Sequence, residues 1–355
     1  MRSYAVFEWG EPLRLLEGST PEPTGKEVLV RVTAAGVCHS DLHIHEGQYD
    51  LGGGSVLRME DRGLSRPLTM GHETAGIVEA VGPDATGVEI GQQVAVYPWI
   101  GCGECDACQL GEEQNCPSPR TLGIYAAGGY SSHLLVPDGK YCLDIGDIPP
   151  EVAALYACSG ITTYSALKKI DPRVLANEPI LIVGAGGLGL MALTILKGLD
   201  AHGAIVADID PVKRDAAMAA GAIATVDPTA PDAVDQVKAL SGSGRGLRAA
   251  IDLVGNPATA NFAIDTFVKG AQLISVGLMG GAFMYPLPYF PMRALTVQGS
   301  YVGSLQDMRE LMALVRERQI VPPPITKRPL DDASTVLDEL RTGQITGRAV
   351  LVPES

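Results

Sequence analysis

Basic residues are the scarce class in this chain. Its 355 residues hold 27 Lys+Arg against 41 Asp+Glu, a formal net charge of −14. A surface this acidic repels phosphate backbones and anionic lipid headgroups, so neither nucleic acid nor a membrane is an expected partner. Long apolar runs are missing too. The uncharged stretch 179–196 reaches the lower limit for a membrane span, but four glycines interrupt it. The stretch 270–292 is longer, and its four Gly and three Pro make a poor continuous helix. The opening MRSYAVFEWGEP has an acid at position 8 and no apolar stretch of signal-peptide length. A soluble, cytoplasmic protein is expected. A secreted disulfide framework is also lacking. The seven cysteines are an odd number, and four of them fall within fifteen residues, a density that points to metal.

Hydrophobic residues make up 46% of the chain, enough for an ordinary buried core, and the length suggests two domains. The first 150 residues read as β-rich, with short apolar runs at 28–32, 75–81, 93–97 and 133–136 punctuated by Gly, Pro and Asp. Beyond Pro149-Pro150-Glu151, which opens a helical stretch through Lys169, strands and helices alternate. Strands are expected at 180–183, 204–207, 249–254 and 272–276, and helices at 188–199, 211–220 and 259–268. Such alternation predicts a doubly wound parallel sheet, an α/β fold with helices on both faces. The tail has helices at 306–318 and 333–342 and a last strand at 348–352, and is short enough to return to the first domain.

Gly184-Ala-Gly186-Gly187-Leu188-Gly189 is a GxGxxG that follows one predicted strand and opens a helix. That context is the dinucleotide fingerprint. One glycine makes the turn, one lets a pyrophosphate reach the backbone, and one lets helix and strand pack. Asp208 ends the next strand, 19 residues after Gly189, where a carboxylate accepts hydrogen bonds from a ribose and repels a 2′-phosphate. NAD is therefore expected over NADP. Cys102, Cys105, Cys108 and Cys116 supply four thiolates in one loop, a closed tetrahedral set that suits structural zinc. An iron–sulfur cluster uses the same ligand count. Cys38, His72 and Cys158 are too scattered for spacing to join them. Cys142 reads as a buried bystander.

Taken together, the segment GHETAGIVEAVG at 71–82, the four-cysteine lobe, Cys158-Ser-Gly-Ile-Thr-Thr and the glycine loop occur in an order that resembles the zinc-dependent, medium-chain alcohol dehydrogenases. The resemblance runs over the whole chain. It implies a GroES-like catalytic domain of residues 1–158 and 301–355, with a structural-zinc lobe near 100–117, around a Rossmann NAD-binding domain of residues 159–300. It also implies that Cys38, His72 and Cys158 hold a catalytic zinc, a second ion beside the structural one. Glu73 matches an acid that can approach that metal, and Asp41 one that orients the ligand His. Ser40 and His43 match a proton relay that runs through the cofactor ribose. Thr162, Val254 and Leu278 match cofactor-site positions, and Lys213 a ribose contact. His39 and Arg348 match positions that face the pyrophosphate. Tyr49 and Trp99 resemble walls of the substrate pocket.

The expected activity is reversible oxidation of a primary or secondary alcohol to an aldehyde or ketone by a homo-oligomer, dimer or tetramer. A polyol dehydrogenase is the alternative enzyme, although such relatives commonly carry Glu where this chain has Cys158. An inactive zinc- and NAD-binding scaffold is the alternative of another class. Residues 50–67 form an insertion between Cys38 and His72. Val56, Leu57, Met59 and Leu64 are expected to cover the cleft mouth and favour bulky, aromatic or cyclic alcohols, or else the segment packs as a surface excursion.

Overall fold

The computed structural model describes residues 1–354. Its first half is organised by one long strand, Val28–Val37, nearly all of whose side chains are buried. Glu73–Val81 pairs antiparallel along it, with Gly36 opposite Glu73. His133–Val136 also pairs with it, and so does the chain's last strand, Arg348–Val352, with Val37 opposite Ala349. The tail thus returns to the first sheet, bringing Ile325–Pro329 beside the last strand in parallel. This register fixes the site. Three neighbouring strand ends deliver Cys38, His72-Glu73 and Arg348 to one edge of the sheet.

The second half is a six-stranded parallel sheet in the order Ala224–Val226, Ala204–Ala207, Ile180–Val183, Leu247–Asp252, Phe267–Ser275, Thr296–Gly299. The strands 180–183 and 204–207 are apolar and buried throughout, as central parallel strands must be. Strand order reverses between Ile180–Val183 and Leu247–Asp252, and the crevice at that switch point is where α/β sheets bind ligands. The strand Leu247–Asp252 starts and ends two residues earlier than the expected 249–254, and Asp252 caps the following turn, accepting from the Val254 and Gly255 N–H groups at 3.0 Å each. The sheet ends at Thr296–Gly299, all four residues of which are exposed.

Two expectations need correction. The helix expected through 150–169 is broken: Pro150–Leu155 and Ile161–Lys168 flank a widened π-turn, Tyr156–Gly160, which carries Cys158. Such bulges re-aim side chains and concentrate at functional sites. The insertion is a two-stranded hairpin, Gln48–Gly52 with Ser55–Arg58, followed by a short turn. Met59 and Leu64, expected at the cleft mouth, are core residues, 1% and 5% exposed. Only Leu57, half-buried, and Val56, exposed, stay on the hairpin surface.

The four-cysteine lobe is tied down by a carboxylate that the sequence did not single out. Glu113 is buried and accepts from the Tyr141 hydroxyl at 2.6 Å, the Lys140 ammonium at 2.9 Å and the Gly101 N–H at 3.0 Å. Burial opposes its charge, but those three donors hold its carboxyl below the usual range. Glu113→Ala strands two buried donors, so we expect a loss of about 2–3 kcal/mol in urea unfolding. Glu113→Gln, which keeps an acceptor, should lose less. Equal midpoints for the two variants would refute this account of the lobe.

Candidate functional site

The donor atoms of Cys38, His72 and Cys158 lie within 4.8 Å of one another, and all three residues are buried. Cys38 ends the long strand, His72 precedes its neighbour, and Cys158 comes from the π-turn. Cys38 Sγ and Cys158 Sγ are 3.9 Å apart. A tetrahedral zinc with Zn–S near 2.3 Å needs its sulfurs about 3.8 Å apart, so the pair fits. His72 Nδ1 lies 3.2 Å from Asp41 Oδ1, a close approach outside hydrogen-bond geometry, and Nε2 is buried with no partner at all. A carboxylate beside one ring nitrogen and a buried, unpartnered second nitrogen suit a metal ligand. The Cys158 thiol, the His72 ring and the Arg348 charge favour a thiolate at Cys38, pulling its pKa well down against the cost of burial.

Asp41 sits in the first turn of the helix His39–Glu46. Its Oδ2 accepts from the Cys38 N–H and the Tyr130 hydroxyl, both at 2.9 Å. The carboxylate therefore caps the helix and sits against both Cys38 and His72. Tyr130 is 89 residues away in sequence, and no local motif signals its role. Ser40 and His43 follow on the same helix, three residues apart and so on one face. Both are half-buried, and burial pulls the His43 pKa down.

Two expected residues pair with each other. Arg348 lies with its side chain beside Gly187 of the glycine loop. It is buried, pairs with Glu73 Oε2 and donates to Val37 O at 3.0 Å. Glu73 has both oxygens engaged, since Oε1 accepts from the Ser159 N–H at 3.0 Å. Burial pushes its carboxyl up to about 7 despite the adjacent Arg348.

At the glycine loop, Gly187–Gly198 forms the helix that follows Ile180–Val183. Gly189 has no room for a side chain: a Cβ there would meet Gly184 O at 2.0 Å. Asp208 Oδ2 accepts from the Ala185 N–H at 2.8 Å and Oδ1 from the Asp210 N–H at 2.9 Å, so the acid also braces the loop. Gly186, Leu188 and Lys213 are half-buried and His39 is exposed. Val254 packs on the Gly184 position, Leu278 is exposed, and Thr162 Oγ1 is buried with no hydrogen-bond partner. The residues present suit a dinucleotide.

Trp99 is buried 5.4 Å from the His72 ring, and its Nε1 donates to Ala157 O, next to Cys158, at 2.9 Å. Tyr49 lies 4.6 Å from the His43 ring. Tyr301, which was not among the expected pocket residues, meets Trp99 edge-on at 5.8 Å. A line of aromatic rings therefore runs from His72 through Trp99 to the exposed Tyr301. In the lobe, Cys102, Cys105, Cys108 and Cys116 form a second set within 4.8 Å, with Sγ–Sγ distances of 3.5 to 4.0 Å. That again suits tetrahedral zinc.

Residues 24–147 match the alcohol dehydrogenase GroES-like domain family, and residues 187–317 the zinc-binding dehydrogenase family. An NAD-dependent alcohol dehydrogenase of Sulfurisphaera tokodaii is 36% identical over 99% of this chain and 100% of its own. The crystal structure of an alcohol dehydrogenase from Aeropyrum pernix superposes with a TM-score of 0.88 at 31% identity, covering 99% and 100% of the two chains. A D-arabinose dehydrogenase from Sulfolobus solfataricus superposes at 0.83 with 28% identity, covering 99% of each. Matched by both family models and, over 99% of its length, by a relative 36% identical, the chain belongs to the zinc-dependent, medium-chain alcohol dehydrogenase family.

Proposed function

We propose that this chain oxidises a primary or secondary alcohol to an aldehyde or ketone, reversibly, with NAD as hydride acceptor. The convergence of Cys38, His72 and Cys158 beside the dinucleotide crevice carries this reading. Cys38, His72 and Cys158 would hold the catalytic zinc, and Cys102, Cys105, Cys108 and Cys116 the structural one, two ions per chain. When bound, the catalytic zinc lowers the pKa of an alcohol hydroxyl and the nicotinamide accepts the hydride. The chain's own part is placement and proton handling. Ser40 Oγ takes the substrate proton and His43, kept neutral by burial, passes it outward. Asp41 orients His72. The glycine loop, Thr162, Val254, Leu278 and Lys213 hold the cofactor, and Asp208 rejects a 2′-phosphate. The division into 1–158 with 301–355 and 159–300 follows from the same reading.

The aromatic walls Tyr49, Trp99 and Tyr301 favour bulky, aromatic or cyclic alcohols, because flat rings stack or meet edge-on where a two-carbon chain leaves the space unfilled. The likeness to a D-arabinose dehydrogenase supports a polyol substrate as the second reading. A panel of benzyl alcohol, cyclohexanol, ethanol and arabinose decides. We expect kcat/KM for benzyl alcohol to exceed that for ethanol by about tenfold or more, the return on burying about two methylenes' worth of additional apolar area. The highest kcat/KM on arabinose would favour the second reading.

Cys158→Ser should abolish turnover and leave the melting temperature near that of the parent, because it alters a site built to exchange one ligand. Cys108→Ser should lower the melting temperature, because a closed metal site contributes folding free energy. Zinc content and melts of both variants, with activity, check this; full activity in the Cys158 variant would remove the ligand assignment. Asp208→Ser should raise the NADP-to-NAD ratio of kcat/KM by about tenfold or more, since it removes a like-charge contact with the 2′-phosphate. Parity between the two cofactors in the unaltered enzyme would contradict the role given to Asp208.

A further inference from the structure

The inserted hairpin reaches across the cleft. Its strands belong to no larger sheet, and isolated two-stranded hairpins are marginal in water. Its base is well held. Met59, fully buried, donates to Gly47 O at 2.9 Å, and Gly47 lies against the Trp9 ring. Trp9 Nε1 donates to Glu60 at 2.9 Å, and Arg66 pairs with the same carboxylate at 2.7 Å.

The tip is held by the other half of the molecule. A Cβ on Gly52 would lie 2.3 Å from Ala282 N and 2.6 Å from Gly281 C, and one on Gly280 would lie 2.6 Å from Asp50 O. The two backbones meet with no side chain between them. Asp50 Oδ1 fixes the tip by accepting from the Gly52 N–H at 2.8 Å.

The segment it touches is itself locked to the cofactor crevice. Met279 and Gly280 donate to Val254 O and Gly255 O, both at 3.1 Å. Gly277 is interleaved with Gly255 so closely that a Cβ on Gly255 would meet Gly277 O at 1.9 Å. Val254 in turn packs on the Gly184 position of the glycine loop. A line of backbone contact thus runs from the hairpin tip through residues 277–282 to the turn after the strand Leu247–Asp252, and the Val254 side chain extends it to the dinucleotide loop.

Resting on the NAD-binding reading above, we propose that the hairpin Gln48–Arg58 is a clasp: Gly52 and Asp50 dock on Gly280–Ala282 to hold the cleft shut and keep segment 277–282 seated against the cofactor. Cofactor release then requires the clasp to part. Asp50 and Gly52 are positioning residues, acting through 277–282.

The hairpin turn supplies its own control. Gly52 and Gly54 have φ of +81° and +82°, so alanine strains both backbones alike, but a Cβ on Gly54 meets nothing within 4 Å. NADH titrated by fluorescence into the zinc-loaded protein should bind about five- to tenfold more weakly to Gly52→Ala than to Gly54→Ala, the effect of forcing a methyl into a packed contact. In cofactor-free protein the Gly280 amide should exchange its hydrogen faster in Gly52→Ala than in Gly54→Ala. Gly280→Ala, which intrudes from the opposite side, should weaken NADH binding in the same way and serves if Gly52→Ala fails to fold. Equal NADH affinity and equal exchange in the Gly52 and Gly54 variants would overturn the clasp. Absence of NADH binding in every form would overturn the NAD reading instead, with the exchange comparison still deciding the clasp.

Discussion

The buried pair of Glu73 and Arg348 is the contact on which the site's geometry depends. Each of its partners sits beside a different proposed ligand. Glu73 follows His72 in the chain, its Oε1 holds the N–H after Cys158, and Arg348 holds the carbonyl before Cys38. The Arg348 stem meanwhile closes on Gly187 at the start of the glycine-loop helix. One ion pair thus references three ligands and the dinucleotide loop to a common point. Taking two charges out of water is costly, and an apolar pair of equal volume often stabilises a fold as well or better. What an apolar pair cannot supply is direction. The guanidinium and carboxylate fix strand ends that arrive from opposite ends of the sequence, and Gly36 is glycine because a Cβ there would fall 2.1 Å from Glu73 Oε2.

This explains what was legible beforehand. Motifs with local physics could be read directly: the strand Ile180–Val183, the glycine loop after it and the helix that follows, because turn, phosphate cradle and helix start lie within ten residues. The four cysteines of the lobe were legible for the same reason. The strands 180–183, 204–207 and 348–352 carry continuous apolar runs or sit between clear turn signals, and their bounds came out as expected.

What could not be read depends on distant partners. The pairing of Arg348 with Glu73 depends on the register that sets Val37 opposite Ala349, which no local motif signals. Tyr130 and Glu113 are ordinary residues in ordinary surroundings until the fold brings Asp41 or Tyr141 within reach. The π-turn at Tyr156–Gly160 has no signature either, since its residues suit a regular helix. Met59 and Leu64 were misplaced because a short amphipathic insertion reads alike whether its apolar side faces a cleft or its own core.

The two thiolate sets show how one ligand chemistry is divided between two purposes. In the lobe two of the four sulfurs, those of Cys102 and Cys116, accept from backbone donors. Cys116 Sγ accepts from the Cys102 and Ser118 N–H groups at 3.2 and 3.3 Å, and Cys102 Sγ from those of Glu104 and Cys105, both at 3.4 Å. Those donors pull the Cys102 pKa down to about 6. Fixed dipoles of this kind disperse thiolate charge and hold those two sulfurs in place. Near Cys38 and Cys158 the compensating groups are side chains, namely His72, Arg348 and the other thiol. Side-chain charges can rebalance as a bound group gains or loses a proton, whereas backbone dipoles hold a constant charge constant. The geometry of the lobe therefore suits an ion closed within four sulfurs. The set of Cys38, His72 and Cys158 offers one donor fewer, which suits an ion with a fourth position left to fill.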